Sequence, residues 1–97
     1  MLEFDDDDNV YRQWLAQNPD GFVINTTRNK SANYMILHRA SCRTISKYTD
    51  MAQPGGFTER DYIKVCAPDL VSLRVWVRQH GRPDSSFTGV CSICNPA

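Results

Sequence analysis

The sequence predicts an α+β domain: a small three-stranded antiparallel sheet with two main helices against it, pinned close to its C-terminus. Three observations carry that prediction. Apolar residues recur at helical spacing over 10–15 and again over 70–80. Runs rich in β-branched and aromatic residues, bounded by turn-forming residues, occupy 22–27, 34–37 and 61–66. His38 and Cys42 in the first half, and Cys91 and Cys94 in the second, form two clusters of soft or borderline ligands.

Taken in order, Asp8 or Asn9 can cap a first helix whose stripe is Val10, Tyr11, Trp14 and Leu15. Asn18-Pro19-Asp20-Gly21 stops it with strong turn chemistry. The strands over 22–27 and 34–37 flank a polar turn and read as an antiparallel hairpin, the second running straight into His38. Ser41 can cap a short helix over 42–47, and 49–57, with Pro54-Gly55-Gly56, reads as a loop. In the third strand Tyr62, Lys64 and Cys66 share one face, and Ile63 and Val65 the other. Pro68 suits the first turn of a second helix, lined by Leu70, Leu73, Trp76, Val77 and His80. Gly81 fits its end and Pro83 blocks continuation, so that 82–90 becomes a polar loop delivering Cys91.

With 97 residues the chain has the length of one domain, and its 41% hydrophobic and 10% aromatic content is that of a globular one. Such a domain buries a modest core and gains from an added staple. No apolar run reaches the roughly 18 residues of a membrane span. The start Met1-Leu2-Glu3-Phe4-Asp5 has neither the basic region nor the apolar core of a signal peptide, so the cytoplasm is expected. The net charge of zero hides an asymmetry. Residues 1–8 hold five acids, Glu3 and Asp5 to Asp8, while the other 89 residues carry 11 bases against the 6 remaining acids, a formal +5. Residues 1–8 are therefore expected to be a disordered acidic tail ahead of a single domain over 9–97, because like charges repel and little there can pack. A tail that screens the basic body is the functional alternative.

In a reducing compartment four cysteines point to metal rather than to two disulfides. Four ligands in two pairs suit a closed tetrahedral site for structural Zn2+, and the set is His38, Cys42, Cys91 and Cys94. A His and a Cys four residues apart converge if the chain turns helical after the His. Cys66 is the rival fourth ligand; its apolar neighbours Val65 and Ala67 favour a buried strand thiol instead. A thioredoxin-type redox role for Cys91 and Cys94 needs a following helix, and Pro96 leaves no room for one. A four-ligand shell keeps no position open for water, which disfavours catalysis.

The string Leu37-His38-Arg39-Ala40-Ser41-Cys42 with the terminal Cys91-Ser92-Ile93-Cys94-Asn95-Pro96 resembles small bacterial zinc-binding domains of the Ada-like kind. Those domains accompany DNA-repair proteins and nucleases, so the resemblance implies metal binding and association with DNA. It covers about a dozen residues. It departs from the four-Cys Ada pattern in having His38 for one Cys and a longer stretch between the pairs, and it does not extend to methyl transfer.

The bases that could face nucleic acid are Arg28 and Lys30 in the hairpin turn, Arg39 and Arg43 beside the ligands, and Arg74 and Arg78 four apart on the second helix. The functional expectation is a monomeric, non-catalytic zinc module that binds nucleic acid, DNA rather than RNA, or serves a DNA-processing or defence system. A protein adaptor using the acidic tail or a helix face is the alternative, and a small metal-dependent enzyme the second.

Overall fold

The computed structural model of the chain describes residues 1–46, 57–58 and 61–96. Five strands are present, β1 (Leu2–Phe4), β2 (Phe22–Thr27), β3 (Met35–Arg39), β4 (Tyr62–Ala67) and β5 (Gly89–Val90). Two helices, α1 (Asp8–Gln17) and α2 (Leu70–Gln79), and a 3-10 turn at Arg43–Ile45 complete the described elements. The predicted loop over 49–57 lies, apart from Phe57, outside the described residues.

The α+β class holds, but the three-stranded antiparallel sheet does not. The sheet has five strands in the order β1-β4-β2-β3-β5. The first three pairings are antiparallel, and β3 with β5 is parallel, so the sheet is mixed. The two additional strands are too short to carry a period-2 signal. Backbone pairing defines them: β5 is flanked by bonds from Thr88 N–H to Met35 C=O and from Cys91 N–H to Leu37 C=O, each 2.9 Å.

β1 also overturns the disordered acidic tail. Leu2, Glu3 and Phe4 pair with Cys66, Val65 and Lys64. Phe4 is buried against Tyr11, with ring centroids 5.8 Å apart. Glu3 accepts from Trp76 Nε1 at 3.0 Å and pairs with Lys30 at 2.8 Å. The acids that follow are divided by role. Asp7 is the N-cap of α1, accepting from Val10 N–H at 3.1 Å. Asp8 is the first helical residue and is buried. It accepts from Thr58 N–H at 2.7 Å, Thr58 Oγ1 at 2.6 Å and Phe57 N–H at 3.2 Å, and so ties residues 57–58 to the helix start. An anion there is favoured by the helix dipole.

The helices cover opposite faces of the sheet. Tyr11, Trp14 and Leu15 of α1 pack with Val23, Ala40, Cys66 and Phe4. Leu73, Trp76 and Val77 of α2 pack with Ile24, Met35, Leu37 and Val65. Alternation along β2 separates Val23 from Ile24, which is why each belongs to a different core. Asp69, rather than Pro68, sets the start of α2, its carboxylate accepting from Ser72 N–H at 2.8 Å. The helix ends at His80; Gly81 follows with φ 104°, and Arg82 N–H closes onto Val77 C=O at 2.9 Å. A side chain at Gly81 would also meet Ala32 Cβ at 2.9 Å, so conformation and space both require glycine.

Candidate metal centre

Three segments converge on the ligand set. β3 carries His38 on the α1 face of the sheet, in register with Val23. The chain then reverses through a turn closed by Cys42 N–H to Arg39 C=O at 3.0 Å, which folds Cys42 back toward His38. The helix expected after Ser41 is only the 3-10 turn Arg43–Ile45, with Cys42 as its N-cap; the predicted end at Lys47 lies outside the described residues. β5 brings the second pair. Leu37 is paired with Val90, and the next ladder bond, from Cys91 N–H to Leu37 C=O, sets Cys91 beside His38. Asn95 N–H to Cys91 C=O at 3.0 Å closes the turn that returns Cys94.

One ligand atom from each of His38, Cys42, Cys91 and Cys94 lies within 4.8 Å of all the others. Zinc–sulfur bonds of about 2.3 Å at tetrahedral angles place two sulfurs about 3.8 Å apart. Cys42 Sγ and Cys91 Sγ are 3.9 Å apart, so the set is compatible with a metal such as zinc without rearrangement of that pair.

The electrostatics favour ligand forms unevenly. Burial, with the nearby Lys64 charge, lowers the His38 pKa to about 4, leaving a neutral imidazole with a free lone pair at neutral pH. At Cys91 burial acts upward, but backbone N–H groups of Cys94 and Ile93 and the neighbouring thiols bring the pKa below its ordinary value. Cys94 is pushed up to about 11 by burial and by the Cys42 and Cys91 thiols, against the Arg39 N–H, which donates to its Sγ at 3.3 Å. A cation would relieve the crowding of sulfurs, since a metal-bound thiol is deprotonated outright.

Cys66, the rival ligand, lies elsewhere. It pairs with Val23 on the side opposite His38, two strands away, which is about 9–10 Å. It is fully buried, and burial pushes its thiol far up, as for an inert core cysteine. His80 stacks on Trp76 at 3.9 Å, with Nδ1 2.7 Å from Trp76 C=O.

The predicted nucleic-acid bases do not form one surface. Arg28 donates to Asp5 C=O and, at 2.8 Å, to Thr58 C=O, and Lys30 pairs with Glu3; these two bases hold the N-terminal segment. Arg74 donates to Ser85 C=O at 3.3 Å and lies over Phe87, and Arg78 donates to Ser85 Oγ at 2.9 Å. With Arg82, which bonds Ser86 C=O at 2.6 Å and Ala32 C=O at 2.7 Å, they shape the loop that delivers Cys91. Arg39 donates to Cys94 C=O at 2.9 Å and Asn95 C=O at 2.8 Å, strapping the second ligand pair. Arg43 has no partner among the described residues. Arg39 and Arg43 are brought together, with Ser41, Cys42, Ile93 and Cys94, around a concavity of about 380 Å³.

Two contributors escape a sequence reading. Thr44 Oγ1 lies 3.0 Å from Cys42 Sγ and 3.5 Å from His38 Nδ1, a bridging position beside two ligands. A hydroxyl two residues after a Cys is its only sequence signal. β5 is the other, since its ladder bonds, and no side-chain pattern, bring Cys91 to His38.

No protein-family model, curated protein or solved structure matches this chain. The likeness to Ada-like domains accordingly rests on the ligand motif alone. No helix of the described residues is long and apolar enough to cross a membrane.

Proposed function

We propose that this chain is a zinc-stapled, non-catalytic module that contacts nucleic acid, DNA in preference to RNA, as an accessory to a DNA-processing system. The observation that carries the reading is the mutual approach of His38, Cys42, Cys91 and Cys94 within 4.8 Å. Four protein donors fill a tetrahedral shell and leave no site for substrate or activated water, which favours a structural over a catalytic ion. Bound there, the ion would join the end of β3, the turn after it and the C-terminal segment, and its binding free energy would become folding free energy.

Nucleic-acid contact has narrower support. Arg28 and Lys30 hold the N-terminal segment and Arg74 and Arg78 the loop at Ser85, whereas Arg43 has no partner among the described residues and Arg39 bonds through Nε and Nη2 only, so the rim these two line supports the contact best. With zinc the site carries three thiolates and a divalent cation, a net charge of minus one, which two guanidinium groups outweigh. Binding of duplex and single-stranded DNA and of RNA to zinc-loaded protein, measured against salt, tests this. Affinity should fall log-linearly with salt, and Arg43→Ala should reduce the slope on duplex DNA by about 0.9. Absence of binding to any of the three at low salt would refute it.

An adaptor is the second reading, supported by Val71 and Val75, which stand exposed four residues apart on α2. Of the acidic segment that could also serve it, Leu2–Phe4 belongs to the sheet while Asp5, Asp6 and Asp7 remain exposed.

A further inference from the structure

The concavity beside the ligand set has its own chemistry. It is lined by two cationic residues, Arg39 and Arg43, and by the exposed Ser41. Its wall includes Ile93, 58% exposed, an unusual position for a large apolar side chain next to two cations. Arg39 spends Nε and Nη2 on the carbonyls of Cys94 and Asn95, which fixes its plane and leaves the Nη1 edge for another acceptor. Arg43 starts the 3-10 turn directly after Cys42, so its backbone is held by a ligand residue. The volume, about 380 Å³, lies at the small-molecule end of binding sites. It suits one phosphate and the group attached to it, not a run of backbone.

We propose that this concavity binds a terminal phosphate monoester, as on a nucleoside monophosphate or at the end of a nucleic-acid strand, with Arg43 and the free edge of Arg39 on the phosphate and Ile93 under the attached ring. The charge selects the ligand. A monoester carries about −1.5 to −2 at neutral pH, whereas an internal diester carries one negative charge. Two guanidinium groups lining one concavity therefore gain more from the monoester, through charge-assisted bonds roughly twice as strong as neutral ones. The proposal rests on the metal reading, since a metal-held segment 91–95 positions both Ile93 and the acceptors that orient Arg39.

The test uses the full chain with zinc content measured on every sample, so that loss of the metal and loss of the phosphate site are seen separately. Probes are inorganic phosphate, a nucleoside monophosphate, and one short single-stranded oligonucleotide with and without a terminal phosphate. Binding is followed by calorimetry and by backbone amide shifts around 39–43 and 91–95. The monophosphate and the phosphorylated strand should saturate one site and compete with phosphate. Removing the terminal phosphate should weaken the strand at least about tenfold, and Arg43→Ala should weaken all phosphorylated probes similarly with zinc retained. Ile93→Glu should abolish binding, and Val71→Ser, on the exposed side of α2 across the sheet, should leave it unchanged. Equal affinity for the strand lacking a terminal phosphate would overturn the proposal while leaving a general nucleic-acid contact standing. No saturable binding of any phosphorylated probe to zinc-loaded protein, or binding indifferent to Arg43→Ala, would also overturn it.

Discussion

On the α2 face of the sheet Ile24, Leu37, Val65, Leu73, Trp76 and Val77 meet as one apolar cluster, whereas the α1 face sets buried Asp8, His38 and Lys64 among its aromatic residues. Burial dominates the first face, where Trp76 Nε1 donates to Glu3 and Thr26 Oγ1 to Tyr34 C=O. On the second, each polar group needs a partner, since an unpaired buried polar group costs on the order of 1–3 kcal/mol. Lys64 Nζ donates to Asn25 Oδ1 at 2.8 Å and Phe57 C=O at 2.7 Å; Tyr11 donates to Ile45 C=O at 2.6 Å; Asp8 takes Phe57 and Thr58. Among these groups, His38 and the three cysteines form the set that is compatible with an ion as its partner. The comparison teaches that stability is divided between a face set by shape and a face set by pairing, so the two should fail differently.

The largest effect should come from the ligands. Structural zinc contributes about 10–16 kcal/mol in small zinc-binding peptides, comparable with the whole stability of about 5–15 kcal/mol of a domain. Chelation, or Cys94→Ser, should therefore abolish stoichiometric zinc and lower the thermal midpoint more than any single core truncation, as calorimetry with elemental analysis will show. An unchanged midpoint after complete metal removal would erase the distinction between the faces. Trp76→Ala, on the apolar face, should cost about 3–5 kcal/mol in urea titration yet leave one zinc per folded chain. Asp8→Ala should cost about 2–3 kcal/mol, because three bonds to a charged acceptor are lost and Lys64 loses a nearby anion.

The metal-free protein sharpens the contrast through pH. Native His38 resists protonation down to about 4, whereas an unfolded imidazole protonates near its ordinary 6.5. Between those values the unfolded state binds more protons, so stability rises with pH across the window and is lost as pH falls through it. Denaturant midpoints from pH 7 to 4 should drop steadily, and His38→Phe should flatten the dependence. The smallest effect is Thr44→Val, which removes a hydroxyl beside Cys42 Sγ and His38 Nδ1. Zinc affinity by competition with a chelator should fall about tenfold, at the lower end for groups that orient ligands.

The legibility of the chain follows the same division. Tyr11, Trp14 and Leu15 on one helix and Leu73, Trp76 and Val77 on the other announce themselves by spacing, and the strand over 22–27 by its residue types. His38 and Cys42, and Cys91 and Cys94, stand as two pairs in the sequence, and the fold brings them within 4.8 Å of one another. What could not be read is long-range: an eight-residue start with five acids gives no hint that Phe4 will bury or that Asp8 will serve as an anchor for residues 57–58. The bonds of the basic residues are hidden for the same reason. Arg28, Lys30, Arg74 and Arg78 look free in one dimension, and their acceptors are backbone and side-chain oxygens brought near only by folding.

X-ray absorption at the zinc edge, on protein purified without added metal, reads the coordination shell itself. One zinc per chain is expected, with three sulfurs at about 2.3 Å and one nitrogen at about 2.0–2.1 Å. A shell of four sulfurs, which would bring in Cys66, or protein that emerges from purification folded and without zinc although never exposed to a chelator, would contradict the zinc-stapled reading.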